Sequence, residues 1–110
     1  MGKMRIFWTD FALSELKEIY KYYEKKASID IAARIHDTIL LRVFQLEQNP
    51  LSGQIEPNLL DLRQKHRYLV EGNFKIIYRI YNSSIFITDV FDTRQDPKKM
   101  MKPRRRKPSS

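Results

Sequence analysis

Lys75 and Arg79 stand four positions apart in a run, Phe74–Tyr81, that alternates apolar and polar residues. On an extended strand successive side chains point to opposite faces, so both cations share one side. Arg94 follows the next apolar run, and a dense basic stretch opens at Lys98-Lys99. Ammonium and guanidinium groups placed this way hold phosphates or carboxylates. There are two histidines, His36 and His66, the side chains whose ordinary titration lies near neutrality. His36 falls inside an amphipathic stretch and reads as a helix-surface or helix-packing residue. His66 opens a strand, where a surface position is its simplest role. With no cysteine, thiol nucleophiles, disulfides and thiolate zinc sites are excluded.

The net charge of +8 is not spread along the chain. Seven bases and no acid lie between Lys98 and Lys107, among them Lys98, Lys99, Arg104, Arg105 and Arg106. Residues 1–97 carry 14 bases against 13 acids. The basic run is broken by Pro103 and Pro108 and has no apolar period, so it is expected to be a disordered arm. Such an arm attaches to nucleic acid by counterion release, or it is merely a solvated tail.

At 110 residues, with 42% hydrophobic content, the chain suits one domain, expected over residues 1–97, with a tail at 98–110. No apolar stretch reaches membrane-span length and the start resembles no signal peptide, so a cytoplasmic protein is expected. Met4–Trp8 reads as a strand. Thr9 or Asp10 then caps a helix whose stripe is Ala12, Leu16, Ile19, Tyr20 and Tyr23, with Glu15, Lys17, Glu18 and Lys21 outside it. Lys25-Lys26 and Ser28 mark a stop and a second start. The second helix repeats the stripe at Ala32, Ile35, Ile39, Val43 and Leu46; Leu40 and Phe44 widen it and predict the more buried helix of the two. Asn49-Pro50 ends it.

After a connector, Leu51–Lys65, the period becomes two. Strands are expected at His66–Val70, Phe74–Tyr81 and Ile85–Phe91, joined by turns at Glu71-Gly72-Asn73 and Asn82-Ser83-Ser84. In the central strand Phe74, Ile76, Tyr78 and Ile80 should face the helices. Lys75, Ile77, Arg79 and Tyr81 should face away, and Tyr81 is the only aromatic there for a base to stack on. Lys75 and Arg79 are alternatively paired with Asp89 across strands, and Arg67 with Asp92 or Glu71. The fold class is α+β: an N-terminal strand, then an antiparallel helix hairpin packed on one face of a small antiparallel sheet.

The segment from Arg67 to Ile80, with Ile85 to Pro97, resembles the RelE/ParE superfamily of bacterial toxins. The helix-one pattern and the Asn49-Pro50…Gly53 break are similar too. The resemblance covers roughly residues 4–100 and rests on pattern and order, without a sharp catalytic signature. It implies a toxin of a type II toxin–antitoxin system with a cognate antitoxin protein as partner, and no cofactor or metal. RelE-like members cut mRNA on the ribosome; ParE-like members poison DNA gyrase. One fold hosting both leaves the choice to the side chains.

Metal-free RNA cleavage needs a general base, a general acid and cations on the phosphorane. At the positions where RelE-like toxins carry two lysines, this chain has His66 and Tyr68. Lys75 replaces their arginine, and Arg94 can serve as the cation after the last strand. The terminal tyrosine has no counterpart near Met100-Met101. The nuclease set implied by the resemblance is thus His66, Lys75 and Arg94, and it is incomplete. The chain resembles ParE-like members more closely, which act by binding and need no catalytic residue. Lys75, Arg79 and Arg94 would then contact partners. Acidic antitoxin segments would complement these cations, and an incoming strand would pair with an open sheet edge. Two other classes stay open: a non-toxic basic nucleic-acid-binding module, and a lapsed toxin.

Overall fold

Thr9 closes a strand and opens a helix with one side chain. In the computed structural model, which describes residues 3–60, 62 and 64–102, β1 (Arg5–Trp8) leads through Thr9 into α1 (Asp10–Lys26). The Thr9 hydroxyl accepts the amide of Ala12 at 3.1 Å and donates to the carbonyl of Ile87 at 3.0 Å. Its own amide donates to that same carbonyl. The cap therefore fixes where α1 starts relative to the sheet, a role worth about 1 kcal/mol for the helix alone. Ser28 caps α2 (Ile29–Phe44) in the same way, accepting from Ile31.

Ala12, Leu16 and Ile19 bury the inner stripe of α1, and Glu15 is buried with them, contrary to its expected place on the polar side. It lies three residues after Ala12 and four before Ile19, which is the spacing of one helical face. In α2, Ala32, Ile39 and Val43 are buried, as is Leu46 in the 3-10 turn Gln45–Glu47 that follows. Leu40 and Phe44 do not widen that stripe: Phe44 is 61% exposed and Leu40 38%. Each is rotated by roughly 100° from its buried neighbour. With a single sheet layer beneath, α2 has no second surface to receive them.

The sheet has five strands in the order β1-β5-β4-β3-β2. β3 (Arg67–Glu71), β4 (Phe74–Tyr81) and β5 (Ser84–Asp92) form the expected meander, and β3 begins one residue later than predicted. β1 joins β5 in parallel, with Phe7 beside Phe86, while the other pairings are antiparallel. A short β2 (Gln54–Ile55), unforeseen in the connector, adds to β3. Between Ile77 and Tyr78 the β4–β5 register slips, leaving Thr88 as the extra residue of a bulge. Ile85, Ile87 and Val90 therefore all reach the helix-side core, whereas Phe91 turns to the opposite face.

That opposite face is partly covered. Leu59, Ile77, Phe91 and Met100 form a second apolar cluster, flanked by Tyr68 and Met101. Residues 98–102, predicted in the tail, thus include a buried Met100 and a 3-10 turn at Pro97–Lys99. The rest of the basic run, including Arg104, Arg105 and Arg106, lies outside the described residues.

Both hairpins turn on left-handed backbone, at Gly72 (φ 59°) in the first and at Asn82 and Ser83 (φ 49° and 59°) in the second. Two positive values suit a turn that favours Asn-Gly, and Ser83 bears a Cβ there without need. Ser83→Gly should raise stability by about 1 kcal/mol, several degrees in a thermal melt. An unchanged or lower melting temperature would refute this account of the turn.

Candidate functional site

The connector between α2 and β3 decides what the sheet's cations can do. Glu56, fully buried, caps the 3-10 turn Pro57–Leu59 by accepting from the Asn58 amide and side chain, both at 2.9 Å. Its other oxygen lies 2.7 Å from Lys75 Nζ. Lys75 also sits 4.3 Å above the ring of Tyr68. The predicted partner Asp89 instead accepts the amide of Met101 at 2.8 Å. Lys75 is therefore largely engaged inside the protein, tying β4 to the connector. Pairing with a residue so far away in an aperiodic segment leaves no local signal in the sequence.

His66 is not a surface residue; only 2% of it is exposed. The connector folds back so that Glu56, Leu59 and His66 line one cavity of about 220 Å³. Nδ1 lies 3.0 Å from the Gln64 carbonyl and donates to it, which leaves Nε2 as an acceptor with no partner among the described residues. Burial holds the His66 pKa below its ordinary value, and the charge of Arg79 adds to this against the opposing Gln64 hydrogen bond.

Arg79 is half-buried and stacks by its guanidinium on Phe86 at 5.1 Å and on Tyr81 at 5.4 Å. Arg94 lies elsewhere. Its Nε and Nη2 donate to the two oxygens of Asp92 at 3.0 and 2.8 Å, and its amide donates to the same carboxylate. Nη2 also donates to the hydroxyl of Tyr23 on α1. The Asp92 carboxylate raises the Arg94 pKa further above its ordinary value. Lys98 and Lys99 are exposed in the Pro97–Lys99 turn, which Asp96 caps through the Lys98 amide at 3.0 Å. Arg67 donates to the Gly53 carbonyl at 2.8 Å rather than to Asp92 or Glu71.

The structure does not bring His66, Lys75 and Arg94 together. Asp92 pairs with Phe74 on the helix-facing row, and Tyr23 fixes Arg94 to that side. Lys75 pairs with Phe91 on the other face. A base and two phosphate clamps split between two sides of a sheet cannot meet one scissile phosphate. Among the described residues no group of three or more His, Asp or Glu could hold a metal, and no helix is long and apolar enough to cross a membrane.

A strand, a helix hairpin and a meander in this order make up the α+β fold that the RelE/ParE resemblance implies. The family described as "ParE toxin of type II toxin-antitoxin system, parDE" matches residues 6–97. The solved structure "Chromosomal ParDE TA system from P. aeruginosa" superposes with a TM-score of 0.68. It is 23% identical and covers 80% of this chain and 94% of its own. No curated protein sequence matches. The chain belongs to the ParE toxin family.

Two outcomes follow from this geometry. Lys75→Met leaves a buried carboxylate without its cation and should cost about 3–5 kcal/mol, much of it recovered when Glu56→Gln is added. A double-mutant cycle with no coupling would refute the staple. Because the folded state lowers the His66 pKa, the unfolded chain binds the extra proton more readily. The stability His66 contributes is present above its unfolded pKa, near 6.5, and is lost as pH falls below it. Melting temperature should drop between about pH 7.5 and 5.5, a drop that His66→Asn flattens. Equal slopes for the two proteins would exclude His66 as the cause.

Proposed function

We propose that this ParE-family toxin arrests growth by binding DNA gyrase in the cytoplasm and is neutralised by a cognate antitoxin protein. The observation that carries this reading is the separation of His66 and Lys75 from Arg94 across the sheet. It speaks against the mRNA-cleaving alternative and supports a toxin that acts by contact.

Arg94 suits contact. A carboxylate and a tyrosine hydroxyl hold its guanidinium in one orientation, yet its side chain remains 57% exposed. A cation fixed before binding loses little conformational freedom when a carboxylate or phosphate arrives. For the antitoxin, the supporting features are the family match, the neighbour's description as a ParDE TA system and two open sheet edges, β1 and β2.

Induction from a tightly repressed promoter, with pulse labelling over the first minutes, tests the target. DNA synthesis should fall before protein synthesis, and co-expression of the antitoxin should prevent both. Arg94→Ala should weaken gyrase binding by roughly thirtyfold, the size of an interfacial anchor, while the fold persists. If protein synthesis falls first, the mRNA-cleaving reading replaces this one; with no arrest, a lapsed toxin does.

A further inference from the structure

A row of π surfaces crosses the sheet on the face opposite the helices. Phe7 of β1 pairs with Phe86 of β5, which pairs with Arg79 of β4. The two phenyl rings stack with centroids 5.4 Å apart at 22°, and the Arg79 guanidinium lies over the other end at 5.1 Å from Phe86. Tyr81, 56% exposed, flanks Arg79. The stack spans three strands, so the alternation of β4 alone, which offered only Tyr81, could not reveal it.

At its other end the stack is open. Phe7 stands on the edge strand, is 43% exposed, and has no second ring neighbour among the described residues. Arg79 forms no ion pair among the described residues, in contrast to Lys75 and Arg94. A flat, polarisable group can extend the row beyond Phe7 while an anion meets Arg79.

The C-terminal segment supplies the remaining charge on the same face. Met100 packs on Ile77 and Phe91, and the Met101 amide is held by Asp89, three residues along β5 from Phe86. Lys98, Lys99 and Lys102 flank these two methionines and so bring positive charge to the face that carries the stack. Aromatic faces combined with a polyanion-attracting run match single-stranded nucleic acid, whose bases are unstacked and whose phosphates follow one another. A protein segment would gain from the charges but has no comparable need of a row of rings.

We infer that the Phe7–Phe86–Arg79 row is a stacking subsite for single-stranded nucleic acid, with Lys98, Lys99 and Lys102 drawing in the adjoining phosphates. This goes beyond the gyrase reading and does not depend on it. One base stacks on the free face of Phe7, and Arg79 engages a neighbouring phosphate.

Fluorescence anisotropy of the full chain with labelled oligothymidine, oligouridine and a duplex of equal length tests it. Both single strands should bind more tightly than the duplex at matched salt. Phe7→Leu, which keeps the bulk and loses the ring, should weaken single-strand binding roughly tenfold, whereas Phe7→Trp preserves it. Arg79→Gln should lower the salt slope by about one. Preference for oligouridine would add a 2′-hydroxyl contact to the same site, and equal affinities would assign the site to bases and phosphates. Circular dichroism melts confirm that each variant folds. Absence of binding at low salt, equal affinity for the duplex, or indifference to Phe7→Leu would overturn the proposal. So would a Phe7→Leu defect confined to capture of a protein partner. None of these results bears on whether gyrase is the target.

Discussion

The hydroxyl of Tyr78 holds the two halves of this molecule together. Tyr78 lies in the middle of the central strand β4, fully buried, and its ring belongs to the helix-side core. At its tip the oxygen accepts the Gly53 amide at 2.9 Å and donates to the Pro50 carbonyl at 2.8 Å. Burial pushes its pKa up, so the donating phenol persists at neutral pH. Only glycine permits this approach: a Cβ at position 53 would lie 2.6 Å from the Tyr78 oxygen and 2.8 Å from the Tyr68 carbonyl. One donor and one acceptor of the connector are thus satisfied by one side chain, and leaving both buried and unpaired would cost about 1–3 kcal/mol each. Once Gly53 is fixed, its carbonyl receives Arg67, β2 pairs with β3, and Glu56 is delivered to Lys75.

The bulge at Thr88 performs the corresponding task for β5. Strict alternation from Ile85 and Ile87 would send Asp89 and Phe91 toward the helices. The extra residue reverses that parity, so Val90 enters the main core, and Asp89 turns to the face where it receives the amide of Met101. Phe91 joins Leu59, Ile77 and Met100 in the second cluster. One strand therefore supports both the helix hairpin and the C-terminal segment. A carboxylate in the helix-side core would carry a desolvation cost that its position beside a backbone amide avoids.

What could be read in advance follows from the range of the interactions. Helix starts at Thr9 and Ser28, the two hairpin turns and the inner face of β4 are encoded by neighbours in sequence, and the structure matches them. The family resemblance added the order of elements. Glu56 with Lys75, the burial of His66 and the Phe7–Phe86 stack arise from segments that meet only after folding. His66 shows the difference best, because an alternating strand predicts a surface side chain until the connector is laid over it. The bulge was equally hidden, since Ile-Thr-Asp-Val reads as unbroken strand.

Counting charges in a sequence treats every lysine and arginine as available, whereas the structure divides them by what each already holds. Lys75 is bonded to a carboxylate with no exposed surface, so a partner would have to break a buried ion pair to use it. Arg94 shares its pair with solvent and is oriented by it, which lowers the entropy lost on contact. Arg79 leans on rings rather than on an anion, and its charge remains to be answered from outside. Cations that a sequence pattern places in one group therefore differ physically: Lys75 holds the fold, Arg94 is oriented at the surface by Asp92 and Tyr23, and Arg79 is stacked on rings. A nuclease would need such groups to converge on one phosphate, whereas here Lys75 and Arg79 share one face of the sheet, Lys75 already paired with Glu56, and Arg94 is tied to the other side.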